Sequence, residues 1–190
     1  MRRQLLAALA AFGIAGAAAA QDPENVLVIE VDGGAKGIVE IELLPELAPL
    51  HAERMRALAR DGAYDGVVFH RVIDGFMAQT GDVEFGTREA FGSGRAGTGG
   101  SDLPDLPAEF SDENFAKGVV GMARAQNPDS ANSQFFIMFD EGAFLNGQYT
   151  VVGRVISGQE VVDAITRGDG PNGAVSDPDW MASVRVKADG

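Results

Sequence analysis

Cysteine is absent from the 190 residues, and histidine occurs only twice, at His51 and His70. Without a thiol there is no Cys nucleophile, no disulfide and no cysteine-based zinc site. The two histidines fall in different predicted elements with no H-x-x-x-H spacing, so a histidine metal site would need carboxylates brought in from elsewhere. Positive charge is scarce: 15 Lys and Arg stand against 28 Asp and Glu, a net charge of −13. Nucleic acid and anionic lipid select basic surfaces, so both are poor partners for this chain. Beyond the N-terminus no apolar run is long enough to cross a bilayer. A chain of this length can bury a core without covalent staples, and it suits one domain better than two.

The N-terminus has a different composition. Arg2 and Arg3 precede an apolar stretch from Leu5 to Ile14, and Ala18-Ala19-Ala20 supplies small residues before Gln21. That order describes a secretory signal peptide over 1–20, followed by one domain over 21–190. It predicts a periplasmic or secreted protein with no membrane attachment once the leader is removed. The twin-arginine motif is mostly missing around Arg2-Arg3, so general secretion is the expected route. A buried N-terminal helix is the competing reading, and so much Ala and Gly suits it poorly.

The rest of the chain reads as mainly β. Eight strands are predicted at 26–31, 37–43, 67–73, 76–80, 118–124, 133–139, 150–156 and 183–187. Val39, Ile41 and Leu43 alternate with Glu40 and Glu42, the period of a half-buried strand. Two helices are predicted. One covers 46–60, with Ala48, Ala52, Met55 and Ala59 on one side and Asp61-Gly62 as a stop; the other covers 158–167, with Val161, Val162 and Ile165 as its stripe. Residues 83–114 are rich in Gly, Pro and acids and have no period, which predicts a long ordered loop of the functional kind. Short strands, two helices and abundant Gly suggest a closed or nearly closed antiparallel barrel.

Two strands are apolar on both faces. In 133–139, Phe135, Ile137 and Phe139 oppose Gln134, Phe136 and Met138. In 67–73, Val68, His70 and Val72 oppose Phe69, Arg71 and Ile73. One face can line a core, and the other needs a helix, loop or ligand to cover it.

Several motifs point elsewhere and fail on context. Gly92 to Gly97 matches G-x-G-x-x-G, yet no strand precedes it and no helix follows, so phosphate would meet no helix N-terminus. Counting leaves a Ser-His-Asp triad open, but no G-x-S-x-G elbow is present. His70 reads as a core histidine with a satisfied hydrogen bond. Asp102, Asp105, Glu109, Asp112 and Glu113 lack EF-hand spacing and read as a solvated acidic surface.

The specific signal lies in two segments. Phe69-His70-Arg71-Val72-Ile73-Asp74-Gly75-Phe76-Met77-Ala78-Gln79-Thr80-Gly81-Asp82 is one; Met122-Ala123-Arg124-Ala125 through Ser130-Ala131-Asn132-Ser133-Gln134-Phe135-Phe136-Ile137 is the other. Together they resemble the two signature blocks of the cyclophilin family, at that family's spacing. Tyr64-Asp65-Gly66, Gly97-Thr98-Gly99-Gly100 and Phe144-Leu145 through Val151-Val152-Gly153 extend the likeness along the chain.

The resemblance implies an eight-stranded antiparallel closed β-barrel capped by two α-helices, with its active groove on the outside. It implies peptidyl-prolyl cis-trans isomerase activity without metal or cofactor, on proline-containing peptides and unfolded or partly folded exported proteins, by a monomer. The alternative is a cyclophilin-like chaperone or peptide-binding module. Arg71 matches the family's catalytic arginine. Phe76, Met77, Phe136 and Leu145 match the pocket that grips the proline ring, and Gln79 the side chain that bonds near the substrate carbonyl. Ala123, Arg124 and Gln134 match groove positions, residue 124 acting chiefly through its backbone. Phe144 stands where many eukaryotic members carry Trp, and Tyr149 where many carry His. Loss of the indole donor implies weak cyclosporin binding. Arg124 replaces a frequent Asn, which implies an altered preference beside the proline, and the 83–96 segment is longer than in compact relatives.

Overall fold

Alternating side chains and tight glycine turns build one continuous antiparallel sheet. The computed structural model describes residues 21–170 and 172–190, so the expected leader over 1–20 lies outside the described residues. Among the described residues nine strands and two α-helices run in order: β1 (Val26–Asp32), β2 (Gly37–Leu43), α1 (Pro49–Arg60), β3 (Val67–Val68), β4 (Arg71–Ile73), β5 (Met77–Thr80), β6 (Val119–Met122), β7 (Phe135–Met138), β8 (Val151–Ser157), α2 (Gln159–Ala164) and β9 (Trp180–Val186). Their lateral order is β3-β9-β1-β2-β8-β6-β7-β5-β4.

The two ends of that order, β3 and β4, are pieces of the single strand predicted at 67–73. The sheet therefore curls until one chain segment serves both edges, and its hydrogen-bonded ladder is open between them. Nine strands replace the predicted eight for this reason. β3 pairs with β9, whereas β4 pairs with β5. Between them Phe69 N–H donates to Asp179 O at 2.8 Å, and Val72 N–H to Gly173 O at 2.7 Å. The break shifts the alternation. Val67, Phe69 and Val72 all enter the interior core, while Ile73 joins an outer cluster. Phe69 therefore does not share the outer face of Arg71 and Ile73, as simple alternation predicts.

α1 covers the curled sheet with Ala52, Met55 and Ala59, all fully buried. Pro49 opens it with its φ already helical. At its far end Gly62 adopts φ +68°, with Gly62 N–H bonding Ala59 O and Ala63 N–H bonding Leu58 O, a Schellman stop. No residue of its own caps its N-terminus. Glu109, far along the chain, does so instead, accepting from Leu50 N–H and His51 N–H, both at 3.1 Å, and pairing with His51 Nδ1 at 2.6 Å. Glu109 is thus a helix cap rather than part of a solvated acidic surface. α2 stops at Ala164, short of the predicted 167. Ile165 turns extended, and the buried Asp179 carboxylate takes Thr166 N–H at 2.7 Å.

The long 83–114 segment is ordered by a carboxylate. Asp82 is fully buried, and its Oδ1 accepts from Glu84 and Phe85 N–H and its Oδ2 from Gly97 and Gly99 N–H, at 2.7–3.1 Å. Burial pushes this carboxyl up, but the four backbone donors outweigh it and hold the group below its ordinary value. Gly92 to Gly97 forms a short 3₁₀ turn and a bend rather than a phosphate loop.

Candidate active site

Both faces of β7 are buried, as its sequence predicts, because the sheet carries a second apolar cluster on its outside. The interior cluster takes Val72, Ala78, Ile137 and Val120, which lie side by side across β4, β5, β7 and β6. The next register row faces outward: Arg71 opposite Gln79, Gln79 opposite Phe136, Phe136 opposite Gly121. Met77, Phe136, Met138, Leu145 and Val151 form the outer cluster, with Phe76, Ala123 and Tyr149 packed on it.

Gly121 makes room for this row. A Cβ there would collide with the rings of Phe136 and Phe115, which stack at 5.7 Å. Gly121→Ala should push Phe136 upward and destabilise the fold by about 1–3 kcal/mol. A thermal melt and a peptide titration check this, the titration showing the greater loss. Unchanged peptide affinity would mean that the Phe136 ring is not part of the site.

Above the row lies a cavity of about 270 Å³ lined by Arg71, Phe76, Met77, Gln79, Ala123, Arg124, Phe136, Phe144, Leu145 and Tyr149. A cavity of about 470 Å³ adjoins it, sharing Gln79, Ala123 and Arg124 and adding Gln134, the Gly97–Ser101 run, Asp105, Ser130 and Asn132. All eleven residues singled out in the sequence thus converge on one groove. Phe144 leans on Phe76 with ring centroids 5.4 Å apart and stays 65% exposed at the rim.

Arg71 is half-buried, and neutral groups hold it. Its Nε donates to Asn172 O at 3.0 Å and its Nη1 to Gln79 Oε1 at 3.1 Å. Gln79 Nε2 donates to Gln134 Oε1 at 3.0 Å, and Gln134 Nε2 to Gly99 O at 2.8 Å. This relay fixes both amides and the guanidinium. No carboxylate among the described residues pairs with Arg71. Burial lowers its pKa and Tyr149 opposes the shift.

The Arg124 side chain is tied to the protein around it. Nη1 donates to Ala125 O and Nη2 to Gln148 O, both at 2.9 Å, and the guanidinium lies 4.4 Å from the centre of the Tyr149 ring. His70 is buried as expected, but neither ring nitrogen completes a hydrogen bond to a described residue. Burial pushes its pKa down to about 4, against the pull of Asp82. Asn172 was not anticipated, because only its main-chain carbonyl is used. Among the described residues no cluster of three or more His, Asp or Glu could hold a metal ion.

The curled antiparallel sheet thus carries on its outer face a pocket walled by apolar side chains and an arginine held by neutral groups. Residues 26–186 match the family described as cyclophilin type peptidyl-prolyl cis-trans isomerase/CLD. Probable peptidyl-prolyl cis-trans isomerases of Brucella suis biovar 1 and Brucella abortus are each 55% identical over 193 residues, covering 98% of this chain and 97% of the relative. The crystal structure of a cyclophilin from Hirschia baltica is 30% identical with a TM-score of 0.73, covering 89% of this chain and 76% of that one. A Cryptosporidium parvum cyclophilin type peptidyl-prolyl cis-trans isomerase, solved in the presence of dipeptide Ala-Pro, shares the fold at 24% identity and a TM-score of 0.71. The chain belongs to the cyclophilin-type peptidyl-prolyl cis-trans isomerases.

Proposed function

We propose that this isomerase holds a proline ring in the outer pocket and uses Arg71 to ease rotation of the preceding amide. The observation that carries the reading is a guanidinium with no carboxylate partner among the described residues, beside a pocket walled by Phe76, Met77, Phe136 and Leu145. Resonance opposes rotation with a barrier of about 18–20 kcal/mol, and uncatalysed exchange takes roughly tens to hundreds of seconds. Rotation needs no nucleophile, so the protein must bind the twisted amide more tightly than either planar form.

Phe76, Met77, Phe136 and Leu145 grip the proline ring. As the amide twists, the prolyl nitrogen regains its lone pair and accepts a hydrogen bond from Arg71, which disfavours return of the resonance. Gln79 and Gln134 keep the guanidinium aimed, and in the free groove Gln79 serves Arg71 rather than a substrate carbonyl. Ala123 and the Gly97–Gly100 wall steady the flanking peptide. Such a site suits proline-containing segments of unfolded proteins. The N-terminal pattern directs the enzyme to the periplasm or outside the cell, where newly exported chains fold.

An X-Pro peptide titrated into the protein should shift the methyl signals of Met77 and Leu145. It should also bring the peptide's own cis and trans signals into exchange, while an X-Ala peptide does neither. Shifts confined to residues away from the groove would remove the assignment.

A further inference from the structure

The outer pocket is an island of positive charge on an acidic protein. Arg71 and Arg124 both line it, and none of its ten lining residues is Asp or Glu, although the chain carries a net charge of −13. Neither guanidinium pairs with a carboxylate among the described residues; the donors that bond meet carbonyl oxygens and the Gln79 side-chain oxygen, while Arg71 Nη2 and Arg124 Nε meet no described acceptor. These neutral acceptors orient the cations without cancelling their charge. Among the residues lining the two cavities the one acid is Asp105, which lines the adjoining cavity and accepts from Asn132 Nδ2 at 3.0 Å.

We infer that Arg124 makes this isomerase selective for proline flanked by an acidic residue. The inference rests on the proposed proline pocket. An Asp or Glu side chain next to a seated proline would lie beside two uncompensated cations, while a Lys there would meet like charge. Arg71 is committed to the reacting amide, which leaves Arg124 to read the neighbour. It also braces the pocket. Its bond to Gln148 O joins the segment after β6 to the one before β8, and Tyr149, beneath it, meets Phe136 edge-on at 5.9 Å. Charge and brace can be separated: Lys keeps the charge and loses the planar fork, whereas Gln removes the charge.

The test measures kcat/KM at low salt for matched peptides carrying Glu, Ala or Lys on either side of proline. Wild type should favour Glu over Lys by about 10-fold on at least one side, with Ala between, and added salt should shrink the ratio. Arg124→Gln should bring the ratio close to one. Arg124→Lys should retain it even where KM rises for every peptide. A wild-type ratio near one, or a ratio unchanged in Arg124→Gln, would overturn the inference while leaving the isomerase intact. A wild type that accelerates none of the peptides would instead overturn the pocket reading itself.

Discussion

Replacing Arg71 by Lys is expected to lower kcat/KM for X-Pro peptides by about 100-fold, although the positive charge survives. The reason is geometric. One edge of the guanidinium is anchored, Nε on Asn172 O and Nη1 on Gln79 Oε1, while Nη2 makes no hydrogen bond to a described residue and is aimed by the other two. An ammonium has no such fork and cannot be held on one edge while donating from the other. The loss should fall mostly on kcat, because planar amides offer the prolyl nitrogen little as an acceptor and the bond forms as the amide twists. Steady-state kinetics on a short peptide separates the two constants. A loss appearing wholly in KM would show that Arg71 binds the ground state rather than the twisted amide.

Asp82→Asn should be the most damaging single change outside the groove, at about 3 kcal/mol. An amide offers one acceptor atom where the carboxylate offers two, so its NH₂ faces donors that have lost their partner. If it keeps the Glu84 and Phe85 pair, the Gly97 and Gly99 amides are stranded. Those two glycines belong to the wall that receives Gln134, so peptide affinity should fall together with stability. Chemical denaturation of the two proteins measures the difference, and a loss below about 1 kcal/mol would contradict the staple role.

The same residues set an acid sensitivity. Asp82 titrates lower folded than unfolded, so its contribution is present above the unfolded value of about 4 and is lost as pH falls through the folded one. His70 acts earlier. Its pKa drops from 6.5 unfolded to about 4 folded, so below pH 6.5 the unfolded chain binds the extra proton and stability declines down to about pH 4. His70→Gln should flatten that upper window and leave the lower one in place.

Much of this was legible in the sequence, and what was hidden shares a cause. The two-faced apolar strand at 133–139 announced an outer cluster, because alternation is local and survives folding. The eleven residues that line the groove are those that the family resemblance names. The break in 67–73 was not legible, since it depends on a change of partner from β9 to β5 that no local pattern records. Asp82 stands in the sequence only as the last residue of the first signature segment, and Glu109 as one acid in an acidic loop. Each owes its role to backbone N–H groups, in Glu109's case about sixty positions away in the chain. The Gly99–Gln134–Gln79–Arg71 relay escaped notice for the same reason: uncharged amides carry no sequence signal until a sheet sets them side by side.

The most direct test of the whole account is the rate of cis-to-trans conversion of a short X-Pro peptide, measured without protein, with wild type and with Arg71→Ala, after circular dichroism shows both proteins folded. Rapid conversion by wild type, with the mutant slowed by about 100-fold or more, is the predicted result. A folded wild type that leaves the uncatalysed rate unchanged, or a mutant as fast as wild type, would contradict it.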